Sequence, residues 1–349
     1  MKRLFCIACA LSLSLSLSAR AADETIAPKA QQPAPAKATP TPLVKVRTIS
    51  LPPQPPRAAI DTSMASDANA PFAAYQRGDF LEAVRLAEIR AEKNNDTRAM
   101  TLLGELYGEG VGVPADQKKS FDWYKRAADA GDIYATFALG MVYLQGVGIP
   151  RNKDEAARLF RIAADKGHPA AAYNLALLYL EGQVFPQNFA EAAKLMRVAA
   201  DKDIADAQHA LAIFYQEGKG VPQDMKESVK WLRRASRLDH VPATVELAIA
   251  LFNGKGVEKD EANAALAMRR AALKGNPVAQ NRLARLLNAG RGIEKNTVEA
   301  MAWHLMARMQ NVSDPMLDDV FGSLSAADKK KAEDTVKAWL QSKPAPDNS

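Results

Sequence analysis

The chain has 349 residues, 48% hydrophobic and 25% charged, with 46 Lys and Arg against 40 Asp and Glu and a formal net charge of +6 at pH 7. So mild a surplus of cations, interspersed with acids, leaves no nucleic-acid footprint. Both cysteines, Cys6 and Cys9, lie close to the N-terminus, so a chain that loses this segment has neither disulfide nor thiol chemistry.

Residues 1–21 open with Lys2 and Arg3, continue through an apolar run containing LSLSLSLS, and close on Ala19-Arg20-Ala21. This is the pattern of a cleavable secretory signal, with cleavage expected after Ala21 and a periplasmic or secreted product. Its serine-studded run falls short of the roughly 20 mostly apolar residues that span a bilayer, so no stable membrane span is expected after cleavage. Loss of Lys2, Arg3 and Arg20 takes the formal charge from +6 to +3. Residues 22–70 include APKAQQPAPAKATPTPL and SLPPQPPRAA. With few large apolar side chains this stretch cannot bury a core, and we expect a disordered, Pro/Ala-rich linker of extended polyproline character. It reads equally well as a tether and as an unselected spacer.

Residues 71–97 contain FAAYQRGDFLEAVRLAEIRAEKNND, a degenerate copy of the unit that follows, with a shortened loop; Ala87 and Ala91 fall one period before Trp123 and Ala127. The unit itself recurs six times over residues 98–310, with a period of 36 residues marked by Ala99, Ala135, Ala171, Ala207, Ala243 and Ala279. Four residues on stand Leu103, Leu139, Leu175, Leu211, Leu247 and Leu283, each followed by glycine or alanine. Four further on are Tyr107, Tyr143, Tyr179 and Tyr215, relaxing to Leu251 and Leu287. Spacings of four put these residues on one face of a helix. Gly110, Gly146, Gly182, Gly218, Gly254 and Gly290 supply its left-handed stop. A short loop then ends on Asp116, Asn152, Asn188, Asp224, Asp260 or Asn296, each placed to cap a second helix. That helix carries a small residue, a bulky one such as Trp123, Leu159 or Trp231, and then an alanine in every copy. Each unit is predicted to be a helical hairpin.

Residues 311–342 are expected to form two terminal helices, with Pro315 in a first turn and Ser325 and Asp328 resembling a capping box. The charged KKKAEDTVK face would shield the last repeat from water. Residues 343–349 read as a disordered tail.

The string LGELYGEGVGVPAD followed by WYKRAADAG, echoed by LAIFYQEGKGVPQD and WLRRASRLD, resembles the Sel1-like repeat, a branch of the tetratricopeptide superfamily. The resemblance covers about residues 98–310. It implies an all-α fold: a right-handed α-solenoid of about six 36-residue helix-turn-helix repeats between N- and C-terminal capping helices. The first helices of such a solenoid line a concave face. The resemblance further implies scaffolding, adaptor work or regulation through a protein partner, with no catalytic motif and no cofactor. One version is an envelope protein that restrains the periplasmic domain of a sensor kinase. A cell-wall or polysaccharide-associated structural protein is the alternative, and the proline-rich arm fits it too. Disulfide-stapled relatives linked to β-lactam binding differ in their cysteines, so a β-lactam-hydrolysing activity has little to rest on.

The recurring G-x-G loops follow no predicted strand and lack the G-K-[ST] ending of a phosphate cradle, so turn geometry accounts for them. His168, His209, His240 and His304 lie on different repeats, which favours structural roles over zinc ligation. Asp318 and Asp319 are adjacent carboxylates on a terminal helix that need no catalytic explanation. The better candidate is a surface. By tetratricopeptide geometry, positions two before, two after and five after the repeat leucine face the groove. In the middle repeats these include Phe137, Met141, Tyr173, Leu177, Ile213 and Ile249; toward the ends stand Thr101, Glu105, Asn281 and Arg285. An apolar patch rimmed by polar residues marks an interaction site, here for a helix or extended peptide. With shallow curvature the same side chains would instead pack as core.

Overall fold

Two signals recur in every unit, a left-handed glycine that stops one helix and an Asp or Asn that starts the next, and together they build the architecture. The computed structural model describes residues 67–342, among which there are sixteen α-helices and no strand. The signal-type segment 1–21 with Cys6 and Cys9, nearly all of the proline-rich stretch, and the tail 343–349 lie outside the described residues.

A first hairpin, α1 (Ala70–Arg77) and α2 (Phe80–Asn94), precedes the regular units. Six hairpins of near-identical length follow. They are α3 (Thr97–Glu109) with α4 (Gln117–Asp129), α5 (Ile133–Gln145) with α6 (Lys153–Asp165), and α7 (Pro169–Glu181) with α8 (Phe189–Asp201). The second half holds α9 (Ala205–Glu217) with α10 (Met225–Arg237), α11 (Val241–Asn253) with α12 (Glu261–Leu273), and α13 (Pro277–Ala289) with α14 (Thr297–Arg308). Two last helices, α15 (Pro315–Ser323) and α16 (Ala326–Ser342), end the described chain. Each helix packs chiefly on the helix before and after it in sequence, with α16 returning onto α14. This is the nearest-neighbour stacking of an α-solenoid.

Local chemistry accounts for the turns. The side chains of Asp116, Asn152, Asn188, Asp224, Asp260 and Asn296 each accept a hydrogen bond from the backbone N–H three residues on, at 2.9 to 3.0 Å. The backbone N–H of each of these caps also donates back to the carbonyl of the tyrosine or leucine nine residues earlier, as from Asp116 to Tyr107 and from Asn152 to Tyr143, both at 2.8 Å. The loop is thereby closed on itself.

A second set of caps is hidden in the column 36 residues apart that opens the first helices. Asp96, Asp132, His168, His240 and Asn276 all accept from the backbone N–H three residues later, while Ile204 caps nothing. For His168 and His240 the acceptor is Nδ1, at 3.2 Å from the N–H of Ala171 and Ala243. A cap of this kind requires the neutral ring, with its proton on Nε2. Burial pushes the His168 pKa down, against a partial pull from Asp132, and so favours that form.

The core runs between the two helix layers, and its volume is set by a covarying pair. Fully buried Phe160 lies on Gly140, where an added Cβ would stand 2.7 Å from the ring; at Gly104 it would stand 2.5 Å from the ring of Tyr124. In the next four units the small position is Ala176, Ala212, Ala248 and Ala284, and the partner becomes Met196, Leu232, Met268 and His304. A glycine therefore appears where the partner is a six-membered aromatic ring and an alanine where it is not.

The C-terminal cap is tied down by polar bonds as well as packing. Asp314, with its side chain only 1% exposed, accepts from Arg285 Nε at 2.6 Å and Asn281 Nδ2 at 2.9 Å. Burial alone would raise its pKa; the Arg285 and Asn281 bonds outweigh that and hold the carboxyl below the usual carboxylate range. Asp318 bonds buried His304 Nε2 and Arg308 Nη1, each at 3.0 Å, and so docks α15 on α14. Farther on, Ser325 Oγ accepts the Asp328 N–H at 3.1 Å and donates to its carboxylate at 2.8 Å. Ala332 and Val336 are buried against the last repeat, and Trp339 lies on Trp303 with ring centroids 4.3 Å apart.

Candidate functional site

The repeat-signature residues hold the scaffold and leave the flanking positions of the first helices to face outward. Leu103, Leu139, Leu175 and Leu211 are buried. Tyr107 is buried too, with its hydroxyl donating to Glu88 at 2.9 Å, while Tyr143, Tyr179 and Tyr215 are half-buried at the hairpin edge. Tyr179 accepts from Arg161 at 2.6 Å, and Tyr215 accepts from Arg197 in the same way. Gly110, Gly146, Gly182 and Gly218 all adopt left-handed φ, from 68° to 74°.

Of the six apolar groove candidates, Phe137, Tyr173, Leu177, Ile213 and Ile249 are half-buried. Phe137 stacks on the His168 ring at 4.5 Å, and Tyr173 and Leu177 rest one side on the core between α7 and α10. Met141 departs from the expectation. At 7% exposed it belongs to the core, packed with Phe160, Leu144 and Leu175. Val245, at the Tyr173 position two units on, is buried as well.

The polar ends of these columns have separate jobs. Asn281 and Arg285 are committed to Asp314 of the C-terminal cap. At the other end Glu105 is half-buried beside Tyr124, and burial, aided by the nearby Glu109 charge, pushes its pKa up from 4.5 to about 7. In the middle, His209 Nε2 lies 2.8 Å from Glu246 Oε1, and His240 Nε2 lies 3.4 Å from Asp206 Oδ1. The two rings are 4.7 Å apart. Among the described residues no group of three or more His, Cys, Asp or Glu side chains is arranged to hold a metal ion, and no helix is long and apolar enough to cross a membrane.

A pH effect follows from Glu105. The fold favours its protonated form, so the associated stability is fully present below the unfolded value near 4.5 and is lost as pH rises to about 7. Glu105→Gln is expected to equal the wild type near the low end of that range and to exceed it above neutrality by on the order of 1 kcal/mol, a value reduced for partial solvent screening. Urea unfolding at both pH values reads the difference.

The G-x-G loops do more than turn. The second glycine lies against the first residue of the second helix of the preceding unit: Gly148 against Gln117, Gly220 against Phe189, Gly256 against Met225 and Gly292 against Glu261. The loop backbone is packed on protein there, as a register contact between units.

These features define a stacked helical-hairpin protein whose first-helix layer carries an apolar row between polar ends. Six abutting segments, residues 97–132, 133–168, 169–204, 205–240, 241–276 and 277–312, match the Sel1 repeat, and the chain belongs to the Sel1 repeat family. Sel1 repeat proteins are generally protein-interaction scaffolds, and the family is typically non-enzymatic. Among solved structures, a Sel1 repeat protein from Oxalobacter formigenes is 27% identical, with a TM-score of 0.58 over 72% of this chain and 99% of that one. A protective antigen of uropathogenic Escherichia coli displaying an SLR fold is 24% identical over 78% of this chain and 75% of that chain, with a TM-score of 0.35. The immunity protein PA5088 from Pseudomonas aeruginosa is 16% identical over 69% of this chain and 82% of that chain, with a TM-score of 0.37. No curated protein sequence matches the chain.

Proposed function

We propose that this protein is a secreted or periplasmic adaptor that holds a helix or extended peptide of a protein partner along its first-helix layer, in the service of an envelope signalling or assembly process. The observation that carries this reading is the half-buried apolar row of Phe137, Tyr173, Leu177, Ile213 and Ile249 in the central repeats, bounded by polar residues at both ends. A row of side chains with one flank on the core and the other toward solvent offers anchor positions that cost little to order. The compartment rests on the signal pattern of residues 1–21, and a mass measurement on the protein purified from its native cells reads cleavage after Ala21 directly.

The test is the double substitution Ile213→Glu and Ile249→Glu in the full chain. It is expected to abolish retention of an envelope partner while circular dichroism keeps the native helicity. Retention of the same partner by the folded variant would place the binding surface elsewhere. Sedimentation with peptidoglycan, unchanged by the substitutions, would favour the cell-wall reading.

A further inference from the structure

The outer face of the second helices is charged and regular until α10 and α12, where the pattern breaks in two ways at once. Along α10, Lys226, Lys230, Arg233 and Arg237 are all exposed. Their spacing of four, three and four aligns them on one face, as a stripe about 16 Å long at 1.5 Å per residue. The helix holds five cations, these four and Arg234, against the single acid Glu227.

Arg233 lacks a bond that its equivalents in the two preceding units make. In the two preceding units the equivalent Arg161 and Arg197 donate to Tyr179 and Tyr215, eighteen residues on. The equivalent partner of Arg233 is Leu251, which has no hydroxyl. Among the described residues the side chains of Lys226, Arg233 and Arg237 have no hydrogen-bond or ion-pair partner, although the Arg233 charge contributes to holding the Asp260 carboxyl below its ordinary range. The neighbouring acids are engaged elsewhere: Glu227 with Lys230, Asp201 and Asp203 with Arg234, Asp239 with Lys274, and Glu261 with Arg291 and Lys259.

Beside this stripe α12 presents Leu266 and Leu273, 62% and 66% exposed and two helical turns apart. The same two positions carry a charge in each of the four earlier units, as Asp122, Arg158, Lys194 and Lys230 and as Asp129, Asp165, Asp201 and Arg237, all of them exposed. A basic row on α10, unpaired at Lys226, Arg233 and Arg237 and ion-paired at Lys230 with Glu227, thus lies one unit before the exposed leucine row of α12.

We propose that this outer face is a second docking surface, for an amphipathic helix of a protein partner bearing acidic residues on one side and apolar residues on the other. Carboxylates would meet Arg233 and Arg237, and the apolar side would cover Leu266 and Leu273. Charge complementarity selects this occupant, since the stripe repels a basic helix. The spacing of the leucines matches one helix face, which a helix laid alongside can cover.

The experiment uses the full chain and a fluorescent, stapled amphipathic peptide with leucines along one face and glutamates beside them, read by fluorescence anisotropy. The peptide should bind, less tightly as salt rises. Replacing its glutamates by lysine should weaken binding at least about tenfold, and so should Arg233→Glu with Arg237→Glu, or Leu266→Glu with Leu273→Glu. All four side chains are exposed, so the variants should fold, which circular dichroism checks. Equal binding of the glutamate and lysine peptides, or binding indifferent to both pairs of substitutions, would overturn the proposal. So would failure of the glutamate peptide alongside capture by phosphatidylglycerol vesicles, which would make the face a membrane surface.

Discussion

Gly256→Ala is expected to cost about 3 kcal/mol or more and to split unfolding into two steps. The residue has φ +73°, a conformation that costs an L-residue roughly 1–2 kcal/mol. An added Cβ would also stand 2.3 Å from the carbonyl oxygen of Met225. That neighbour is backbone at the start of α10, so no rotamer change relieves the clash and the two units must separate. In a solenoid, stability is shared between units through their interfaces, and weakening one lets the two sides melt apart. Gly275→Ala is the control. Its φ is +88° but nothing lies within 4 Å, and Asp203 and Asp239 hold left-handed φ at the equivalent turn of two other units. A cost of about 1 kcal/mol is expected there. Urea unfolding followed by circular dichroism and tryptophan fluorescence compares them; equal losses would contradict a register role for the second loop glycine.

Gly140→Ala should destabilise in the wild type and stabilise once Phe160 is leucine. In an uncrowded helix interior, glycine to alanine gains about 1 kcal/mol. At Gly140 the new methyl meets the Phe160 ring at 2.7 Å, in a site where the ring is fully buried. Overpacking of this kind costs about 1–3 kcal/mol and outweighs the helical gain. Phe160→Leu alone leaves a gap; adding Gly140→Ala fills part of it, restoring the Ala212 and Leu232 pairing of the fourth unit. The sign change in the double-mutant cycle is the readout. Destabilisation of the same size in both backgrounds would show that the ring and the glycine are not coupled.

The repeat itself was legible because each element carries its own stop and start: Gly146 ends α5 and Asn152 caps α6 with no help from distant residues. The second cap column was harder to see, since Asp, His, Ile and Asn share it and histidine is an unfamiliar cap; the spacing of Asp132, His168 and His240 by 36 and then 72 residues is the signal that finds it. The coupling of Gly140 to Phe160 was present as two covarying columns, yet its meaning depends on which side chain crosses the hairpin. Met141 shows where sequence reasoning ends. It shares a column with Leu177 and Ile213, yet it is core while they remain half-buried. The basic stripe on α10 was hidden for a related reason: Arg233 looks like any other repeat arginine until its missing partner at Leu251 is recognised.

The apolar row of the first helices is tested most directly by photo-crosslinking in the native cells. A photoreactive phenylalanine analogue is placed at Ile213 in one chain and at exposed Asp154 on the opposite layer in another. A discrete crosslinked protein formed from position 213 and absent from position 154 is the predicted result. Identical products from both positions, or none from 213 while the chain is folded and abundant, would contradict a binding role for this face.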